Sequence, residues 1–169
     1  MIAYRKDLGS FNPFHKLTLA ADPIHLESLL DREKVTDEFY YLDRENKYSR
    51  MIKGHARNAE DKRIFQLRKT EVRVQEEGLC PTLTANMGGG GHNVPFILAN
   101  GEVRKLTERE CLRLQSFPES FRFPETVNKT ARYRMIGNAV NAAVAVGIAN
   151  NIYSVLREKK DESKLDIPA

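Results

Sequence analysis

Four consecutive glycines, Gly88, Gly89, Gly90 and Gly91, are the first feature of this sequence that could do chemistry. A phosphate-gripping loop needs glycines at set intervals leading into a helix, whose free N–H groups then meet the anion. Here the Gly-x-Gly-x-x-Gly spacing fails at Asn93, and Val94-Pro95-Phe96-Ile97-Leu98 reads as a strand. A loop without side chains instead lets its backbone approach something bulky, such as a DNA groove. Taken alone, the run is a flexible hairpin tip. A second candidate lies upstream. Ile64–Arg68 and Glu71–Gln75 alternate with period two, as strands with one polar face do, and the ribbon carries Arg68, Arg73 and Gln75. A two-stranded ribbon fits the major groove, where arginine pairs with guanine through two hydrogen bonds and glutamine or asparagine with adenine. The same pattern also describes an ordinary exposed strand face.

Other reactive side chains are poorly placed. Cys80 and Cys111 share no metal-ligand spacing, and neither has a base or cationic pocket visible nearby. Packing in a turn or core is the better reading for both. Two cysteines in 169 residues form no disulfide framework, which fits a reducing compartment. His15, His25, His55 and His92 are scattered without ligand spacing.

Charge adds direction. The 27 Lys and Arg against 23 Asp and Glu give a net +4, and residues 44–75 alone hold ten basic side chains against four acids. A basic block of that kind suits phosphate binding, because each neutralised phosphate releases counterions; it also suits a solvated face. Hydrophobic residues at 41% and charged ones at 30% describe a globular domain. No apolar run approaches the roughly 20 residues of a bilayer span, and MIAYRKDLGS lacks a signal-peptide core, so a cytoplasmic home without membrane is expected.

Several elements must position these residues. Asp22-Pro23 opens a short helix over 22–32, with Leu26, Leu29 and Leu30 on one face. Residues 39–58 read as helix or irregular structure. After the ribbon, 78–93 is turn and loop chemistry. Val94–Leu98 and Val103–Leu106 form two strands joined at Asn100-Gly101. Thr107 with Glu110 predicts a capping box, opening a helix that Pro118 stops. Asn138 is expected to start the last long helix, carrying Val140, Val144, Ile148, Ile152 and Val155 or Leu156. From Ala139 to Ala149 only Asn141 interrupts small apolar residues, so this helix is expected either inside a larger body or in a well-packed core. Gly137-Asn138, as its start, could offer free N–H groups to a ligand.

Three stretches together resemble the C-terminal part of bacterial DNA cytosine-5 methyltransferases. Residues 104–118, RKLTERECLRLQSFP, resemble the family's ninth motif, and residues 133–140, YRMIGNAV, its tenth. Pro81-Thr82-Leu83-Thr84-Ala85-Asn86-Met87-Gly88 through His92-Asn93-Val94-Pro95 is similar to the target-recognition region of one branch, and Ile2–Leu8 resembles the strand leaving the eighth motif. Ser116 stands where the family usually has glycine. The family's cofactor fingerprint, Pro-Cys nucleophile, Glu-Asn-Val acid and arginine-rich centre of motif eight have no counterpart here, and Cys80-Pro81 is the reversed order in another region.

The resemblance implies an α+β chain: a small target-recognition domain rich in antiparallel strands and loops, with a C-terminal helix that docks on a missing α/β (Rossmann-like) catalytic domain. Residues 1–15 would end motif eight, 16–125 form the recognition domain, 126–158 the docking helix and 159–169 a charged tail. It implies double-stranded DNA as a partner, read by Arg68, Arg73, Gln75, Thr82, Leu83, Thr84, Asn86, Gly88–Gly91, His92 and Asn93. Asn138, Ala139 and Val140 would close one wall of a pocket for S-adenosylmethionine, shared with a catalytic N-terminal chain or domain. That partner would supply the thiolate that attacks C6 of a flipped cytosine and the acid near N3, before methyl transfer to C5. A non-enzymatic DNA-binding protein and an inactive truncated product are the rival expectations.

Overall fold

A computed structural model describes residues 26–165, apart from 32, 44, 59, 60, 69, 70 and 90–92. The expected strand at Ile2–Tyr4, the Asp22-Pro23 helix start, and Gly90, Gly91 and His92 lie outside the described residues. Ala21–Asn141 forms one compact unit, and the described part of a second unit is a single helix from Ala142.

The first unit is α+β, built on a four-stranded antiparallel sheet in the order β2-β1-β3-β4. The strands are β1 (Phe65–Arg68), β2 (Glu71–Val74), β3 (Phe96–Ala99) and β4 (Glu102–Lys105). Two hairpins therefore lie side by side, and β1 meets β3 only through Phe65 opposite Phe96. Asn100 (φ 53°) and Gly101 (φ 74°) turn the second hairpin. Both occupy the left-handed region that a two-residue turn between twisted strands demands.

Alternation along the strands sends two sets of apolar side chains to opposite faces. Phe65, Leu67, Val72, Phe96, Leu98 and Val103 pack with Ile52 on one side. Ile52 belongs to α2 (Lys47–His55), started by Asn46, whose side chain accepts from the Tyr48 N–H at 2.8 Å. On the other side Ile64, Val94, Ile97 and Leu106 join Leu83, Met87, Leu112, Tyr133 and Ile136. That second core is roofed by a 3-10 turn (Ala85–Gly89), α3 (Glu108–Leu114) and α4 (Lys129–Asn138). The expected helix over 22–32 is described only as the single turn α1 (Leu26–Leu29).

Helix α3 starts as predicted. Thr107 caps the Glu110 N–H at 3.2 Å, while the Glu110 carboxylate accepts from the Thr107 N–H at 2.7 Å. The same carboxylate takes both terminal nitrogens of Arg104, at 2.8 and 2.7 Å, inside the fold. The helix ends before Pro118, contrary to expectation. Ser116 at φ 59° closes it, with Ser116 N–H donating to Arg113 and Phe117 N–H to Leu112, at 2.9 and 3.0 Å. This pairing is the Schellman arrangement, which favours glycine at the left-handed position. Ser116→Gly is therefore expected to stabilise the unit by about 1 kcal/mol, read as a higher urea midpoint with an unchanged slope.

The C-terminal region differs from expectation in one respect that matters. Asn138 does not start the last helix; it ends α4, and the chain runs extended at Ala139 (φ −72°, ψ 150°) before α5 (Ala142–Leu165) begins. Asn141 Nδ2 donates to the Leu114 carbonyl at 3.1 Å, and Gln115 Nε2 to the Ile136 carbonyl at 3.4 Å. These side chains hold the junction against α3. Gly137-Asn138 thus lies at a helix C-terminus, where carbonyls and not N–H groups are left over.

Lys129–Ser154 also reaches the length and apolarity of a bilayer-spanning segment, which exceeds the longest apolar run expected from the sequence. The break at Ala139–Asn141 divides it into two helices, and α4 carries Lys129, Arg132 and Arg134. In α5, Val146, Ile152, Tyr153 and Leu156 are exposed.

Candidate functional site

The first hairpin presents its polar row on the same face as the α3–α4 core. Gln66 stands opposite Arg73, and Arg68 opposite Glu71. Arg68 and Arg73 are exposed, and Gln75 is half-buried, its N–H donating to Ile64 at 2.9 Å. Gln66, which the sequence reading passed over, is buried and accepts from Arg68 Nε at 3.2 Å. Its period-two spacing from Arg68 was the available signal. Glu71 was also passed over, and it places a carboxylate beside Arg68.

The predicted loop residues divide by exposure. Thr82, Thr84, Asn86, Gly89 and Asn93 face solvent, and Asn93 Nδ2 ties the segment by donating to the Asn86 carbonyl at 3.2 Å. Leu83 instead belongs to the core, and Gly88 is buried against α4. Neither offers a surface to a ligand. Asn138, the last residue of α4, and Val140 beyond it are exposed, with Ala139 half-buried between them. The arrangement can present hydrogen-bonding side chains to a groove and an apolar wall to a neighbour.

The basic block is less free than its charge count implied. Arg63 chelates the buried Asp61 carboxylate through Nε and Nη2, the latter at 2.6 Å, and Arg57 pairs with Asp61 and Glu77. Lys62 pairs with Glu27 at 2.6 Å. Of the described cations in this block, Lys47, Arg50, Arg68 and Arg73 are exposed without a salt bridge. Hydrogen bonds from the Arg63 side chain, and from the Arg57 and Arg63 N–H groups, hold Asp61 well below the usual carboxylate range. A depressed folded-state value stabilises the fold above the unfolded value near about pH 4, and that contribution is lost as pH falls further. Asp61→Asn is expected to cost about 2 kcal/mol at neutral pH and to flatten the loss below pH 4, measured by urea unfolding across pH.

Neither thiol is a nucleophile. Burial pushes Cys80 up to about 12, and Cys111, fully buried in α3, is raised by burial and by neighbouring charges. Both stay protonated at neutral pH, and the thiol is a far weaker nucleophile than the thiolate. Among the described residues no cluster could hold a metal. A hollow of about 1140 Å³ opens between residues 28–37 and α3 and is lined by none of the predicted site residues. Its walls mix Asp31, Glu33, Lys34, Arg109 and Arg113, which gives no single-sign field to draw in a polyanion.

Comparison with known proteins bears directly on these stretches. The chain is 44% identical over 121 residues to the Type II methyltransferase M.Bsp6I of Bacillus sp. (strain RFL6), covering 72% of this chain and 38% of that protein. Against the Type II methyltransferase M.HhaI of Haemophilus parahaemolyticus it is 27% identical over 169 residues, covering 94% of this chain and 48% of the relative. The fold is similar to that in the crystal structure of the S. pombe Dnmt2 methyltransferase, with a TM-score of 0.50 and 18% identity, covering 84% of this chain and 44% of that one. The chain thus spans less than half the length of each. A family model, C-5 cytosine-specific DNA methylase, matches residues 13–154, and by this match over most of its length the chain belongs to the C-5 cytosine-specific DNA methylase family.

Proposed function

We propose that these 169 residues are the DNA-reading part of a DNA cytosine-5 methyltransferase and supply one wall of its methyl-donor site. The observation that carries this reading is the shared face: Arg68, Arg73 and Gln66 project to the side of the sheet roofed by the Ala85–Gly89 turn and α4. Ribbon and turn can therefore meet one DNA groove together, with Arg68, Arg73 and the half-buried Gln75 toward base edges and Thr84, Asn86 and Asn93 beside them. The substrate is double-stranded DNA, and a cytoplasmic setting goes with that role.

Asn138, Ala139 and Val140 fit the donor only as an open wall. Asn138 can hydrogen-bond and Val140, 67% exposed, offers an apolar contact, but they enclose nothing by themselves. S-adenosylmethionine, when bound, supplies the methyl group. The remaining walls, the nucleophile and the acid belong to catalytic elements outside these residues, on the same polypeptide or on a partner chain. The exposed Val146, Ile152, Tyr153 and Leu156 of α5 support docking of this helix on that catalytic part.

The test is a tritiated methyl-transfer assay on mixed-sequence DNA, with this chain alone and with the catalytic motifs supplied. Transfer only in the mixture is the expected result. Transfer by this chain alone would refute the assignment. No transfer in either, with salt-sensitive DNA binding intact, would favour a DNA-binding protein that modifies nothing.

A further inference from the structure

The 3-10 turn and α4 meet backbone to backbone at two glycines. A Cβ added at Gly137 would lie 2.1 Å from the carbonyl carbon and oxygen of Thr84 and 2.4 Å from the Ala85 nitrogen. At the other end of the contact, a Cβ on Gly88 would lie 2.6 Å from the Thr130 carbonyl oxygen and 2.9 Å from Arg134 Cβ. Each partner thus contributes one glycine to a seam with no room for a side chain. Gly89, the next residue of the same run, has nothing within 4 Å of its own added Cβ.

The seam is braced from both sides. Leu83 and Met87 share a core with Tyr133 and Ile136, and Tyr133 donates from its hydroxyl to the Leu106 carbonyl at 2.5 Å. Gln115 and Asn141 fix the end of α4 to α3. Side-chain layers absorb small displacements by changing rotamer; a backbone-on-backbone contact cannot, and close-packed interiors pass such shifts on. Gly137 immediately precedes Asn138.

We propose that Gly137 is a positioning residue that couples DNA engagement at Thr82–Gly89 to the geometry of Asn138-Ala139-Val140. The inference rests on the function proposed above, in which the first segment reads DNA and the second faces the methyl donor. When the turn is fixed by a DNA groove, the end of α4 is fixed with it. Because such coupling is reciprocal, an occupied donor wall also steadies the reading segment.

The test needs only this chain and a pool of randomised duplex DNA at low salt, followed by amide hydrogen exchange. In the wild type, DNA should slow exchange at residues 84–89 and also at 136–140, the latter by about 5-fold or more, the low end of ordinary coupling between sites. Gly54→Ala, on α2 where an added Cβ also meets nothing within 4 Å, should behave like the wild type. Gly137→Ala, and the milder Gly88→Ala should the first not fold, should keep the DNA effect at the turn and lose it at 136–140. Protection confined to the turn in the wild type, or transmitted equally through both glycine variants, overturns the coupling and leaves DNA reading intact. No DNA-dependent change anywhere in the chain removes the proposed function, and the coupling falls with it.

Discussion

Glu110→Gln is expected to destabilise the first unit by about 3–5 kcal/mol, a large share of the stability of an ordinary domain. Glu110 is fully buried and its two oxygens accept from Arg104 twice, from the Thr107 N–H and from the Asp31 N–H at 3.0 Å. Burial alone would pull the Arg104 guanidinium below its usual value, yet the hydrogen bonds and charge of Glu110 raise it above. Removing the carboxylate leaves that cation inside the fold without a counter-charge. The double change Arg104→Met with Glu110→Leu should recover most of the loss of the ion pair, because apolar replacements of similar volume usually match a buried pair. It still forfeits the helix cap, about 1 kcal/mol. Urea unfolding of the wild type and the two variants checks this: a double variant as unstable as Glu110→Gln would show that the network, and not the unpaired charge, sets the cost.

Replacing both Arg68 and Arg73 by alanine should weaken binding to a DNA site selected from a random pool on the order of 100-fold, since each two-bond pairing with guanine is worth about 1–3 kcal/mol. Binding to unrelated duplex should fall far less, so the ratio between the two collapses. An equal loss on every sequence, with a salt slope reduced by about two, would instead assign both arginines to phosphates. Fluorescence anisotropy across a salt series separates these outcomes. Glu71, opposite Arg68, disfavours a phosphate next to that arginine and favours a base edge that donates as well as accepts.

What the sequence announced, it announced through local chemistry. The first two strands followed from period two, the second hairpin from two short runs joined at Asn100-Gly101, and the α3 start from Thr107 and Glu110 three residues apart. The division between α4 and α5 was hidden because Asn138-Ala139-Val140-Asn141 contains no breaker. It is imposed through space by Asn141 on Leu114 and Gln115 on Ile136. The ends of α3 were misread toward Pro118 because a serine in the left-handed region leaves no compositional mark. Charge was overcounted because a residue tally does not show pairing: Asp61 binds Arg63 and Arg57, two and four residues away, and Glu77 and Glu27 from outside the block take Arg57 and Lys62. The glycine seam joins residues about fifty positions apart, beyond the reach of any spacing rule. Of the candidate site, the exposed threonine, asparagine and arginine positions were legible, while the inward turn of Leu83 and Gly88 was not.

The narrow meeting of the two hairpins has a kinetic consequence. Each hairpin closes over a handful of residues and can form within microseconds, whereas bringing Phe65 to Phe96 closes a loop of about 30 residues. Those two rings are wholly buried and are the sole register pair between β1 and β3. The order of events follows: hairpins first, their docking last, with the docking step carrying most of the non-local contact and setting the folding rate. A chain emerging from the ribosome would only sample the first hairpin, since an isolated two-stranded pair is marginal in water, and its arginine row would be held in place once the second hairpin had been synthesised and docked.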